Sequence, residues 1–141
     1  MLERIRTLKA EGRFPEVCAL FPYAGFLGIE VAVEGDTLTT RLPFKADNVG
    51  NTSLPALHGG VVGGLLEHAA IMELLWRLDP TVPPRIINLS VDYLRPCRAV
   101  TTLARAEMVK QGRRIANIRV SAWQDGPDRP VAAAHCHFML D

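Results

Sequence analysis

Residues 58–78, HGGVVGGLLEHAAIMELLWRL, constrain this chain more than any other stretch. Two glycines follow a histidine, and the longest helix candidate in the sequence follows them. From Val61 to Leu75 only Glu67, His68 and Glu73 are polar. A helix so apolar on nearly every side belongs inside a protein, wrapped by other elements. Fifteen or more residues span roughly 22 Å, enough to cross a small domain. The stretch is too short and too charged for a membrane span, which needs ~20 mainly apolar residues. Glu67 therefore stands out, because an unpaired buried charge costs several kcal/mol.

The rest of the chain reads as the wrapper. Leu2, Ile5 and Leu8 recur at spacings of three with charges between them, which predicts a short amphipathic helix over the outside of the domain. Pro15 opens a second turn or helix that runs to Phe21 and stops at Pro22 and Gly25. Residues 26–34 (FLGIEVAVE) and 37–43 (TLTTRLP) flank a Gly35-Asp36 turn and predict a hairpin. Lys45 to Leu57 is a polar loop of about a dozen residues, long enough to suspect a functional role. Asp79-Pro80 and Pro83-Pro84 stop the long helix. Strand candidates then follow at Ile86–Leu94, Val100–Val109, Arg113–Trp123 and Val131–Leu140. The last alternates too weakly to assign its faces. One antiparallel sheet curled around one central helix is the economical α+β solution. Residues 1–25 read as an N-terminal helical extension and 26–141 as the main domain.

Composition removes several function classes. At 141 residues the chain is one domain with room for a real core. A net charge of +1 excludes nucleic-acid binding by bulk charge. Cys18, Cys97 and Cys136 are odd in number and lack any CxxC spacing. They read as buried free thiols of a reducing compartment, neither a disulfide framework nor a zinc site. The N-terminal MLERIRTLKAEGRF has no apolar run of the signal-peptide kind, so a cytoplasmic location is expected. His135 and His137 share a strand face, but no third ligand accompanies them and no metal is expected. No Gly-X-Ser-X-Gly elbow is present.

The segments FLGIEV at 26–31, LHGGVVGGLLEHAA at 57–70 and VDYLRP at 91–96 together resemble PaaI-type acyl-CoA thioesterases of the hotdog-fold superfamily. The resemblance covers nearly the whole chain after the N-terminal extension. In similar enzymes an HGG segment opens the helix and a carboxylate lies nine residues after the histidine; here it is Glu67. The resemblance implies hydrolysis of acyl-CoA thioesters without metal or organic cofactor. It implies a general-base or nucleophilic role for Glu67 and a carbonyl-polarising role for the Gly59 amide, with Gly60 beside it. Related thioesterases often place an Asn or Gln six residues before the histidine to position water. That position is Thr52 here, and Asn51, one residue further away, is the candidate.

Elementary chemistry supports these assignments. Glycines at a helix start leave unpaired N–H groups open to a carbonyl oxygen, aided by the helix dipole. A carboxylate in a partly apolar site has its pKa raised, which suits a base. His58 either orients the thioester or caps the helix. Some similar enzymes hold the water with a Ser or Thr on the following strand, and the resemblance makes Asn88 and Ser90 the polar candidates there. Coenzyme A phosphates need cations, and Arg95 and Arg98 after that strand, with Lys110, Arg113 and Arg114 around the Gly112 turn, are the candidates. His68 and Glu73 are expected to face solvent or a partner.

Gly59 and Glu67 lie eight residues apart, about 12 Å along one helix. A base and an oxyanion donor must both sit about 3 Å from the reacting group. One chain does not readily supply both, so the expected enzyme is a homodimer or a dimer of dimers (homotetramer). The competing readings are a non-catalytic acyl-CoA binding or sensing module and a hotdog 3-hydroxyacyl thioester dehydratase. Neither nucleic acid nor membrane is an expected partner.

Overall fold

A computed structural model describes residues 1–141. The helix anticipated from 58–78 is α3, Gly59–Arg77 (α1, Leu2–Ala10, and α2, Pro22–Leu27, precede it). Its nineteen residues make it about 28 Å long. His58 caps the start through Nδ1, which accepts from the Gly60 amide at 2.9 Å. Leu78 is extended where the chain leaves the helix just before Asp79-Pro80.

Eight strands surround it: β1 (Glu30–Glu34), β2 (Thr37–Leu42), β3 (Val49–Asn51), β4 (Ala56–Leu57), β5 (Arg85–Tyr93), β6 (Thr102–Gln111), β7 (Ile115–Trp123) and β8 (Pro130–Met139). Six form one antiparallel sheet in the order β1-β2-β6-β7-β8-β5. α3 packs against β2, β6, β7 and β8, so the sheet curls around the helix in the hotdog arrangement. The inner face is small and apolar, with Ala104, Ala116, Ile118, Val120, Ala122, Ala134, Cys136 and Phe138 buried. Small side chains let a helix with Leu65, Leu66, Met72 and Leu74 settle close to the strands.

Four features differ from the sequence expectations or add to them. Phe26 to Ile29 is not strand: α2 runs to Leu27, and Gly28 ends it in the left-handed conformation at φ 83°. Pro at its start and Gly at its end are the normal helix punctuation. The N-terminal helix does lie over the outside, with Glu3, Arg4 and Arg6 exposed, but the segment also contributes Ile5, Leu8, Phe14, Val17 and Cys18 to the same core as the sheet. Lys45–Leu57 is not all loop, since β3 and β4 pair there. The faces of β8 separate cleanly, with Ala132, Ala134, Cys136 and Phe138 inward and His135 outward.

Two polar contacts fix the entry to α3. Buried Asn48 donates to the Leu27 carbonyl at 2.9 Å, and its own carbonyl accepts from the His58 amide at 2.9 Å. Gly50 packs directly on His58: an added Cβ would lie 2.7 Å from the His58 Cα. Only glycine fits there.

Candidate active site

The first turn of α3 has a specific hydrogen-bond pattern. The Gly60 amide is taken by His58 Nδ1, and those of Val61 and Val62 by the His58 carbonyl at 3.0 and 3.2 Å. The Gly59 amide, also one of the first four, has no acceptor within the chain. Gly59 and its neighbours His58 and Gly60 are exposed in the single chain. His58 is thus the cap that leaves one donor over. Gly60, expected as a substrate contact, has its amide committed to that cap.

Tyr93, at the end of β5, was not singled out from the sequence, although it lies within VDYLRP. Its hydroxyl donates to the Gly59 carbonyl at 2.7 Å. A Cβ on Gly59 would meet the Tyr93 ring at 3.5 Å, an ordinary contact. The ring therefore fixes the plane of the peptide that follows the free amide.

Glu67 lies two turns further along α3, half-buried. It faces a cavity of about 210 Å³ lined by Phe21, Tyr23, Ala24, Gly64, His68 and Ile71. Burial raises its pKa above the usual carboxylate value, and no ion pair or hydrogen bond opposes that shift. An unpartnered carboxylate in this setting is a base in search of a proton. Cys136 on β8 lies close enough that the Glu67 charge adds to burial in pushing its thiol up to about 11.

His68 and Glu73 do not face solvent. His68 is 7% exposed, edge-on to Phe21 at 5.3 Å, with Nε2 3.3 Å from the Cys18 sulfur. Burial pushes this imidazole down to about 4 and the thiol up to about 11. Both are neutral at pH 7, so the pair is packing and not a thiolate–imidazolium nucleophile. Glu73 is 5% exposed and bonds Arg77 at 2.7 Å, which in turn reaches Asp36 at 2.6 Å. That chain of charges ties the end of α3 to the β1–β2 turn.

The other sequence candidates scatter. Asn51 spends its side-chain oxygen on the Ser53 and Leu54 amides, at 2.9 and 3.1 Å. Asn88 and Ser90 pair with His137 and His135 on β8, and Asn88 accepts from His137 at 2.8 Å. Cross-strand partners share a face, so these residues lie on the outer side of the sheet, turned away from α3 and Glu67 within the chain. His135 bonds Asn117 there and stacks on His137. Arg113 and Arg114 flank the β6–β7 turn, and Arg114 pairs with Asp141 at 2.7 Å. Arg95 and Arg98 lie at the opposite end of the sheet, past the end of β5. One chain does not bring the two arginine groups together.

A sheet curled around one long helix that starts with HGG and carries a carboxylate nine residues after the histidine defines a hotdog-fold thioesterase domain. The family profile described as acyl-CoA thioesterase N-terminal domain matches residues 49–139, and the chain belongs to that family. Among solved structures, a Chromobacterium violaceum protein is 36% identical, with 99% of this chain and 97% of that one covered and a TM-score of 0.81. A phenylacetic acid degradation-related protein from Ralstonia eutropha is 26% identical over 84% of this chain and 89% of that one, with a TM-score of 0.73. A Bacillus halodurans protein solved with CoA shares the fold at 21% identity, over 99% and 92% of the two chains, with a TM-score of 0.74. No curated protein matches the chain. No helix is long and apolar enough to cross a membrane.

Proposed function

We propose that the chain hydrolyses acyl-CoA thioesters to a free acid and coenzyme A, in the manner of PaaI-type enzymes. The observation that carries this reading is a pair of unsatisfied groups on one helix, the Gly59 amide and the Glu67 carboxylate. The thioester carbonyl oxygen accepts from the Gly59 amide, which sits at the positive end of the α3 dipole. In the general-base route Glu67 takes a proton from water as the oxygen attacks the carbonyl carbon. The tetrahedral oxyanion rests on Gly59, then collapses with cleavage of the C–S bond. The coenzyme A thiolate takes the proton from Glu67, which regenerates the base. In the nucleophilic route Glu67 attacks the carbonyl carbon, the C–S bond breaks and the coenzyme A thiolate leaves; water then cleaves the resulting anhydride to the free acid and Glu67, and its proton goes to the thiolate.

Both groups serve one reaction only across a dimer, because about 12 Å of helix separates them. The open edge supports this reading: β5 has one sheet neighbour, and Ile86, Ile87, Tyr93 and Leu94 along it are exposed. An unpaired apolar strand edge is a template for a second copy.

Thiol release from acyl-CoAs, acetyl through aryl to palmitoyl, tests the reading against Glu67→Ala, with the reaction of the protein's own three cysteines subtracted. A loss of roughly 100-fold or more is expected for removal of the base. Absence of turnover with any acyl-CoA, alongside acyl-CoA binding that the substitution leaves intact, would replace hydrolysis by a binding role.

A further inference from the structure

The cavity beside Glu67 holds a second polar group that the hydrolysis does not use. One wall is α3, with Gly64, His68 and Ile71, and the other is the N-terminal segment, with Phe21, Tyr23 and Ala24. Tyr23 closes over Gly64, where an added Cβ would meet its ring at 3.4 Å. Phe21, Ala24 and Ile71 make the lining largely apolar, and the imidazole of His68 interrupts it next to the carboxylate.

The buried contacts of His68 fix which ring nitrogen carries the proton. Cys18 Sγ lies 3.3 Å from the Ile29 carbonyl and 3.3 Å from His68 Nε2. A carbonyl only accepts. Both contacts are therefore hydrogen bonds only when the thiol donates to Ile29 and Nε2–H donates to the sulfur. Burial pushes the imidazole down to about 4, so at pH 7 it is neutral and Nδ1 is a bare acceptor. Nδ1 makes no hydrogen bond in the chain, yet no sealed side-chain nitrogen or oxygen goes unpartnered, so this atom keeps access to a visiting group.

We infer that His68 selects the acyl group, its Nδ1 accepting a hydrogen bond from a hydroxyl on an acyl chain seated in the Glu67 cavity. This rests on the acyl-CoA reading above and narrows its substrate class to compact hydroxyacyl thioesters. An unsubstituted chain would leave the imidazole lone pair dry and unpaired. That is how a site built to hydrogen-bond a hydroxyl rejects the analogue without one. The volume limits the chain as well. At the ~30 Å³ of a water-sized group, a cavity of about 210 Å³ takes roughly seven such groups, a six-carbon acyl chain with one hydroxyl.

Steady-state kcat/KM for hexanoyl-CoA and its 3-, 5- and 6-hydroxy derivatives tests the assignment. In the wild type at least one hydroxy derivative should exceed hexanoyl-CoA about tenfold or more. His68→Phe keeps a ring against Phe21 and removes the acceptor, and should bring that ratio to within about twofold of unity. His68→Gln restores an acceptor and should recover part of the preference. A merely structural loss would lower all the substrates alike and keep the ratio. No hydroxyl preference in the wild type, or an undiminished one in His68→Phe, would overturn the inference. Calorimetric binding of S-hexyl-coenzyme A and the matching hydroxyhexyl thioethers, which cannot be hydrolysed, separates it from the thioesterase reading. Preferential binding of a hydroxy thioether without turnover of any thioester would remove hydrolysis and leave the His68 site standing.

Discussion

The Tyr93 hydroxyl donates to the Gly59 carbonyl at 2.7 Å, joining the open edge strand to the first residue of the central helix. The carbonyl would otherwise serve only the helix ladder. With the phenol attached, the orientation of the helix start depends on β5 and on whatever packs against it.

Tyr93→Phe keeps the ring and removes the bond. Tyr93 is 56% exposed, so the loss costs only about 1 kcal/mol of stability. As a positioning residue it should change kcat about fivefold, an energy of about 1 kcal/mol, with coenzyme A affinity unaltered. Thermal melts paired with steady-state kinetics check this. A lowered Tm with kcat intact would make Tyr93 a structural tie alone.

Gly59→Pro deletes the free amide and little else. Proline suits the first helical position, where its missing N–H has no intrahelical partner. The residue before a proline must be extended, and His58 already is, at φ −63° and ψ 133°. The variant should therefore fold with an unchanged circular dichroism spectrum and lose about 100-fold in kcat, the loss typical of an oxyanion donor. Gly50→Ala provides the contrast. Its Cβ would enter the His58 backbone at 2.7 Å, so it should cost about 1–3 kcal/mol of stability.

Glu67→Gln should raise stability while it removes activity. Burial lifts the folded pKa of Glu67 above its ordinary 4.5, so the folded state favours the protonated acid. The ionised form is therefore a cost at neutral pH. That cost is absent below 4.5 and grows as pH rises through the folded pKa. The glutamine variant should melt higher than wild type at pH 7, with the gap closing as pH falls towards 4.5. The acid limb of wild-type kcat/KM should lie above 4.5 for the same reason. Equal melting temperatures at pH 7 would mean that the carboxylate is not desolvated.

The parts of this site legible in the sequence are those coded locally. His58 to Leu78 carries its own cap, its own apolar surface and its own stop at Pro80, so helix, glycines and carboxylate are readable from one stretch. Phe26–Ile29 is also locally coded, but its apolar residues imitate a strand while Pro22 and Gly28 mark a helix. What escapes is made by distant segments. His68 is buried because Cys18 and Phe21, some fifty residues earlier, fold over it. Glu73 is satisfied through Arg77, which reaches Asp36 forty-one positions away.

Subunit mixing decides whether Gly59 and Glu67 work in one chain or across two. Gly59→Pro and Glu67→Gln subunits are each inactive as homodimers under the proposed mechanism. In a mixed dimer, one site combines the intact Gly59 of the Glu67→Gln chain with the intact Glu67 of the Gly59→Pro chain. The other site carries both defects. Random exchange makes half the dimers mixed, and half their sites are whole, so activity should recover to about a quarter of wild type by two-fold symmetry. If both groups acted within one chain, no mixed dimer would hold a complete site and the mixture would stay inactive. The 12 Å that separates the residues along α3 makes the quarter recovery the expected result.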